Sequence, residues 1–420
     1  MNKFFRNNIL VLFLMNSGNV FNYLFQLVIG RSLTPEEFGV FNALNSLTLL
    51  ASAPIAVIPF VFSKVTVQLS LNGLSQIRSL FWKSIKWLAL ISCAGFGIGL
   101  LALPATKGYL HIDSFVPILI ILVQICLSLF RPVNMGILQG LQRFLGFGLA
   151  GSLTSIGRLL GGVVLVFFLG WGVNGALLSG LIGVVLTILI SLLFLKDIVH
   201  GTKGSLPSGI YKGMGKYAVP VFFNTSMVMA LGNLDLVLVR HYCLPAEAGL
   251  YATAAVLGRI GFFLPGVLVM VLFPAAAKAY SAGKHDNQSL WTCLGLTAFL
   301  SGSFALVCSL WPAQIISLLF GSPYAPAADL FRLVSISMSI LALANVFFVF
   351  FLARCDYGFL WIQGVGLGLM LLLILMFHEH AIQIAWSLLS AIVFIFWATT
   401  IYFFLKDKKN GCIVNEQCDV

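Results

Sequence analysis

The chain has 420 residues, 60% of them hydrophobic and only 9% charged, with a mean hydropathy of +1.03. A water-soluble domain needs about a quarter of its residues charged, so a soluble fold is excluded. The net charge of 24 − 13 = +11 would suit a nucleic-acid binder if gathered on one surface. Here it is divided among short loops between apolar segments, which removes that class.

Twelve apolar stretches are long enough to cross a bilayer as helices: 8–30, 38–63, 82–103, 115–138, 144–169, 172–195, 217–239, 249–276, 290–310, 328–352, 357–377 and 382–405. Their length and the lack of sustained period-two alternation predict helices rather than strands, hence an all-α polytopic membrane protein. Lys3 and Arg6 before the first stretch resemble a signal peptide. That stretch is long, studded with Asn and followed by no small-x-small cleavage site, so the expectation is a retained first span.

With the N-terminus cytoplasmic, one set of loops carries Lys3, Arg6, Lys64, Arg78, Lys83, Lys86, Arg131, Arg143, Lys196, Lys203, Lys212, Lys216, Lys278, Lys284, Arg354, Lys406, Lys408 and Lys409, 18 of the 24 basic residues. The opposite loops carry Arg31, Lys107 and Arg240, with Arg332 just inside a span. This asymmetry predicts a multi-pass protein of the cytoplasmic (inner) membrane with both termini in the cytoplasm. The eight cysteines show neither metal nor redox spacing and imply no disulfide framework.

In chain order, the first span sets Asn16, Asn19, Asn22 and Gln26 at steps of three, three and four, one amide stripe along a helix. Such a stripe is costly against lipid and is read as lining a cavity, with interhelical hydrogen bonding as the alternative. Asn42, Asn45 and Ser52 repeat the habit in the second span, which Pro54 and Pro59 then interrupt. Arg158 lies mid-way along the fifth span, one turn after Thr154 and Ser155, and no carboxylate lies within the membrane in that half. It either pairs inside the bundle or awaits an anionic ligand. Residues 196–216, rich in Gly, Ser and Lys, read as a solvated cytoplasmic linker, with contact to anionic lipid head groups as the lesser alternative.

Asp235 lies near the outer end of the seventh span, with Asn224 on the same helical face, and Arg259 enters the eighth span from that same side. Two readings stand for Asp235: ion coupling, or a structural ion pair with Arg259 or Arg240. Gly95, Gly97, Gly99 and Gly364, Gly366, Gly368 lie inside spans without the strand that a nucleotide site requires, so they read as helix-packing surfaces, as do Gly136/Gly140 and Gly157/Gly161. His378-Glu379-His380 lacks a third imidazole or thiol nearby, and no metal is expected. The longest outer loop, 311–327, holds no charged residue, so no catalytic group and no cofactor are expected and the chain is read as a non-enzyme.

The chain is also a tandem repeat. Pro35, Glu37, Gly39 and Phe41 recur as Pro245, Glu247, Gly249 and Tyr251 at a shift of 210, half the length, and Ser79-Leu80 recurs as Ser289-Leu290. The expected domains are an N-terminal six-helix lobe (1–200), a cytoplasmic basic linker (201–216) and a C-terminal six-helix lobe with a short tail (217–420). Six spans per half return the chain to its starting side, so the lobes should be related by a pseudo-two-fold axis along the membrane normal.

Gly30-Arg31-Ser-Leu33-Thr-Pro35-Glu-Glu37-Phe-Gly39-Val-Phe41, Leu138-Gln-Gly140-Leu-Gln-Arg143-Phe144 and Glu247-Ala-Gly249-Leu-Tyr251 resemble the polysaccharide-transporter flippases. These are the Wzx-type proteins of the multidrug/oligosaccharidyl-lipid/polysaccharide exporter superfamily. The resemblance implies two six-helix lobes around a cavity that opens alternately to either side. It further implies an undecaprenyl-pyrophosphate-linked oligosaccharide as passenger, for surface polysaccharides such as O-antigen, with membrane lipids and polysaccharide-assembly proteins as partners. On that reading Arg158, Arg259, Asn19, Asn22, Gln26, Asn42 and Asn45 line the cavity. The alternative is an ion-driven multidrug or metabolite exporter of the same fold, which would want acidic residues where this chain offers arginine.

Overall fold

The computed structural model describes residues 20–70, 73–202, 204–206, 210–266 and 287–417, with Gly18 and a few isolated positions (268, 269, 272, 276). All regular structure among them is helical. Among the described residues, nine helical segments are long and apolar enough to cross a membrane: Leu74–Tyr109, Val116–Gly140, Phe144–Phe168, Gly172–Phe194, Ala218–Tyr242, Gln288–Leu310, Ser322–Ala353, Phe359–Met376 and Ala381–Lys406. They fall on nine of the twelve stretches expected from hydropathy. The protein is an all-α, multi-pass membrane protein.

The other three expected spans differ for identifiable reasons. The first is described only in part, as helix α1 over 20–32. The second divides into α2 (Pro35–Ser52), a 3₁₀ turn (Ala53–Val57) and α3 (Ile58–Ser70). Pro54 and Pro59 each lack the amide donor a continuous helix needs there, so the chain bends where the donors are missing. The eighth divides into α11 (Pro245–Gly258) and α12 (Ile260–Phe263), with most of 267–286 outside the described residues.

The chain separates into two compact units, Met1–Ser226 and Met227–Val420. The first contains α4 (Leu74–Tyr109), α5 (Val116–Ser128), α6 (Arg131–Gly140), α7 (Phe144–Gly162), a π-helical turn (Val163–Phe168), α8 (Gly172–Phe194), α9 (Lys196–His200) and the start of α10 (Ile210–Tyr242). Here α7 lies along α8 and α3 along α6. Glycines permit the closest approaches: a Cβ on Gly136 would stand 2.6 Å from Phe62 and one on Gly140 2.6 Å from Thr66, both on α3.

In the second unit, α13 (Gln288–Leu310), α14 (Pro312–Leu319), α15 (Ala328–Ala353), α16 (Phe359–Met376) and α17 (Ala381–Gln417) follow. Helix α15 is the central one, touching α11, α13 and α17. Its Phe347, Phe348, Phe350 and Phe351 are buried, and Phe348 and Phe351 stack on Phe359 at 5.6 and 5.9 Å.

Polarity is distributed for a lipid solvent. Leu101 is 85% and Trp361 81% exposed, whereas Asn134, Thr187, Ser191, Gln363 and Thr399 are buried. Inside, these groups find partners, as Asn134 Nδ2 does in donating to Ser191 Oγ at 2.8 Å.

At the basic end of each unit an ion pair ties neighbouring spans together. In the first, Arg143 donates to Asp197 Oδ1 at 2.6 Å, to Asp197 Oδ2, and to the carbonyl of Phe194 at 2.6 Å. In the second, Asp356 accepts from Tyr402 Oη at 2.8 Å and from Lys406 Nζ at 2.7 Å. The start of the expected solvated linker is in fact docked. The Gly204 amide donates to the Ser75 carbonyl at 3.1 Å, Ser79 Oγ to the Gly204 carbonyl at 2.6 Å and Arg78 Nε to the Val199 carbonyl at 3.2 Å. Beneath it Leu195 and Ile198 join Ile77, Leu80, Phe81 and Ile137 in one apolar core, which supplies the stability a solvated tether would lack.

Candidate functional sites in the two units

In the first unit the site is built where α1, α2 and α7 meet. Arg158 lies 14 residues along α7 from Phe144, roughly 21 Å at the helical rise, and so near mid-membrane. Its Nη2 donates to Asn45 Oδ1 of α2 at 3.3 Å, and its guanidinium carbon sits 4.3 Å from the centre of the Phe25 ring of α1. An arginine over an aromatic face gains a cation–π attraction that strengthens away from water. Its Nε is buried without a hydrogen-bond partner. No carboxylate pairs with Arg158 among the described residues.

The surrounding contacts follow from small and amide side chains. Asn22 Nδ2 donates to Ser155 Oγ, one turn before Arg158, at 3.0 Å. A Cβ on Gly162, one turn after it, would stand 2.6 Å from the Phe25 ring, so only glycine lets that ring lie under the guanidinium. Gln26, one turn after Asn22, has a buried Oε1 with no hydrogen-bond partner. Asn42 is turned back onto its own helix, donating to the Phe38 carbonyl at 3.0 Å, and is 2% exposed. Asn19, like Asn16, lies outside the described residues. The structure thus brings Asn22, Asn45 and Arg158 together around Phe25 and leaves Asn42 aside.

Arg131 corrects one sequence assignment. Counted among the loop charges, it instead opens α6 inside the bent span Val116–Gly140. Nine residues separate it from the basic end of that span, roughly 14 Å, and its side chain is exposed. Pro132 follows at the bend between α5 and α6. The signal was present in the sequence, since position 131 already fell within the stretch 115–138, but counting charges by loop overrode it.

In the second unit, Asp235 of α10 is fully buried. Its Oδ1 accepts from Arg259 Nη2 at 3.1 Å and its Oδ2 from Tyr251 Oη at 2.9 Å. Arg259 is the C-cap residue of α11, at the break between α11 and α12. It is 13% exposed, and its Nε is buried without a partner. Of the two sequence readings of Asp235, the ion pair with Arg259 is the one formed in this structure. Tyr251 was visible as part of the repeat, yet nothing in its spacing announced a hydrogen bond to Asp235.

At the opposite end of this unit from Lys406, Glu247 Oε2 accepts from the Ala381 amide at 3.2 Å and Oε1 lies 3.5 Å from His380 Nδ1. Among the described residues no three His, Cys, Asp or Glu side chains are grouped so as to hold a metal ion.

Residues 5–280 match the model of the family described as polysaccharide biosynthesis protein. No curated protein sequence matches the chain. Among solved structures, an inward-facing multidrug resistance MATE transporter of the MOP superfamily aligns at a TM-score of 0.74 and 14% identity, covering 92% of this chain and 95% of its own. The lipid II flippase MurJ in an inward closed conformation aligns at 0.68 and 15% identity, covering 96% of this chain and 91% of its own. An outward-facing MATE transporter aligns at 0.66 and 14%, covering 98% and 96%. At such identities these likenesses establish the fold, which is that of the MOP superfamily.

Proposed function

Because the chain belongs to the polysaccharide biosynthesis protein family and has the MOP fold, we propose that it is a flippase for a polyprenyl-pyrophosphate-linked oligosaccharide. It would carry this lipid across the cytoplasmic membrane by alternating access, with both termini cytoplasmic. The observation that carries this reading is Arg158, a mid-membrane guanidinium held by a neutral amide and an aromatic ring rather than by an acid. A cation left uncompensated at that depth is costly in a dry bundle but useful where a pyrophosphate passes. Arg131, exposed within its own span, adds a second positive charge in the same unit. The lipid II flippase of the same fold carries a lipid-linked passenger by its name, which is in keeping with this substrate class.

Arg259 has a lesser part in this scheme, because Asp235 already neutralises it. Export of cationic drugs by the same fold would call for an accessible carboxylate. Asp235, the one acid deep within a described span, is fully buried and takes two donors.

The test is to express Arg158→Ala and Arg158→Lys in cells lacking the native chain. Membrane amounts, surface glycan and lipid-linked glycan on the cytoplasmic leaflet would each be measured. Alanine should reduce export at least about tenfold, the loss of one charge-assisted contact. Lysine should retain part of it, keeping the charge but losing the forked geometry. Wild-type export by a normally inserted Arg158→Ala would remove the basis for the proposal.

A further inference from the structure

The hairpin that joins α7 to α8 turns without a charged, amide or hydroxyl side chain. None occurs from Leu159 to Val173, whereas the neighbouring loops at this end of the unit carry Arg31, Glu36, Lys107 and Asp113. The backbone of the turn is bonded from within. Leu169 donates its amide to the Val164 carbonyl and Trp171 its amide to the Leu165 carbonyl, both at 3.0 Å, and Gly175 donates to the Trp171 carbonyl at 3.1 Å. Gly170, at φ +67°, makes the left-handed step on which such a turn depends. A turn whose amides are bonded internally, and whose side chains make no call on water, can be made in contact with lipid.

The depth of the turn follows from its distance to the basic end. Phe144–Phe168 is 25 residues, about 37 Å at the helical rise, against about 30 Å of hydrocarbon and about 40–45 Å with both head-group layers. Arg143, just before it, is held by Asp197 at the basic end, so the turn falls within the head-group layer of the opposite leaflet rather than beyond it. Gly172 lies at the level of a charged side chain, since a Cβ there would stand 3.4 Å from Glu37 Oε1. Residues 167–171 are nonetheless exposed, Phe167 by 70% and Phe168 by 74%. Leu160, Val164 and Phe168, at steps of four, form an exposed stripe along α7, so the turn prolongs the lipid-facing side of that span.

We infer that this turn is an anchor seated in the leaflet opposite the basic end, with Phe167 and Phe168 among the acyl chains and Trp171 at the glycerol level. Membrane lipid is the partner because the exposed surface continues that of the span. An indole, apolar with a single N–H, suits the boundary between hydrocarbon and water. With no charge in 159–173, the anchor does not discriminate among head groups. It fixes the depth of α7 and hence of Arg158, 168 − 158 = 10 positions from Phe168, or about 15 Å deeper. This inference is independent of what the protein transports.

The test uses the full-length protein in phosphatidylcholine vesicles, with part of the lipid brominated either near the carbonyl end or near the methyl end of its chains. Iodide on both sides of the membrane serves as the aqueous quencher. Fluorescence due to Trp171 is the difference between the native chain and Trp171→Phe. Bromines near the carbonyl should quench it more than those near the methyl end. Iodide should quench it at least roughly tenfold less than a free tryptophan amide in solution, because a charge is excluded from the chains. Phe168→Trp, made in the Trp171→Phe chain, should report an indole deeper by about 5 Å, three helical rises. Efficient quenching by iodide would place the turn in water and overturn the inference. Quenching by neither bromine nor iodide would mean that a second copy or another protein covers the turn, which overturns it equally. So does an indole at position 168 no deeper than the one at 171. If Phe168→Trp does not fold, the native difference alone decides between lipid, water and protein.

Discussion

Both halves of the chain hold arginine inside the membrane, and they give it opposite company. In Met1–Ser226, Arg158 has an amide and a phenyl ring and, among the described residues, no acid, and Arg131 is exposed within its span. In Met227–Val420, Arg259 is met by a fully buried Asp235 that Tyr251 also holds. The two units thus differ in how their intramembrane arginines are met. In one the guanidinium meets an amide and a ring, and in the other it meets a carboxylate. The same divergence shows in the repeated turn. Glu37 closes a capping box with Thr34, accepting from its amide at 3.0 Å. Its counterpart Glu247 follows Leu244, which cannot cap, and reaches instead to the amide of Ala381.

The sharpest way to break this comparison is to remove Arg259. Arg259→Ala strands a buried carboxylate, and loss of one partner of such a pair costs about 3–5 kcal/mol. Thermal unfolding in detergent should show this as a large loss of stability, partly restored in Asp235→Asn/Arg259→Ala, where no charge is stranded. Arg158→Ala should leave stability nearly unchanged. Equal stability losses in the two single variants would erase the distinction between the units. Tyr251→Phe comes next. It deletes one hydrogen bond to the buried carboxylate, a contact to a charged group worth about 1.5–3 kcal/mol. The same melting assay should resolve it, and an unaltered midpoint would mean that Asp235 is satisfied by Arg259 alone.

A smaller effect is expected at Arg131. Its side chain is exposed, so Arg131→Ala should insert and melt normally while export falls about threefold to tenfold, roughly 1 kcal/mol of passenger binding. Export unchanged in Arg131→Ala would confine the working charge of this unit to Arg158.

Much of this was legible in the sequence because hydropathy reads depth. Nine spans fell where the apolar stretches predicted, the bend of the second at Pro54 and Pro59 was foreseeable from missing donors, and equal depth suggested that Asp235 and Arg259 could meet. Depth does not give azimuth, however. The period of 3.6 places Asn42 on a polar stripe with Asn45, yet the Asn42 amide is buried and donates to the Phe38 carbonyl of its own helix. Tyr251 approaches Asp235 only after the chain turns at Pro245, a tertiary event that no local spacing encodes. Residues 196–216 read as solvated because the stretch as a whole is rich in Gly, Ser and Lys, but its first part also holds Ile198, Val199 and Leu206, which with Leu195 pack on the apolar core and dock it.

The smallest effect concerns the clamps at the basic ends, where the two units reverse polarity. In the first, arginine follows the fourth span and aspartate the sixth; in the second, Asp356 follows the tenth span and Lys406 ends the twelfth. The hydrogen bond from Arg143 holds Asp197 below its ordinary value of 3.8, with burial opposing. Burial pushes Asp356 up, but the hydrogen bonds from Lys406 and Tyr402 outweigh it and leave this carboxyl also below 3.8. A depressed carboxyl contributes stability that is present above its unfolded value and lost as pH falls through its folded one. Both clamps should therefore be constant near neutrality and fail only below about pH 4. The Asp197 side chain is 42% exposed against 20% for Asp356, so solvent screening should leave the first clamp at the lower end of the ~0.2–1 kcal/mol typical of exposed pairs. At pH 7, Asp356→Asn should then lower the melting midpoint more than Asp197→Asn, and both differences from the native chain should shrink as the pH is brought below 3.8. If either difference instead grows on acidification, that carboxylate is held by something other than its basic partner, and the two clamps are not counterparts.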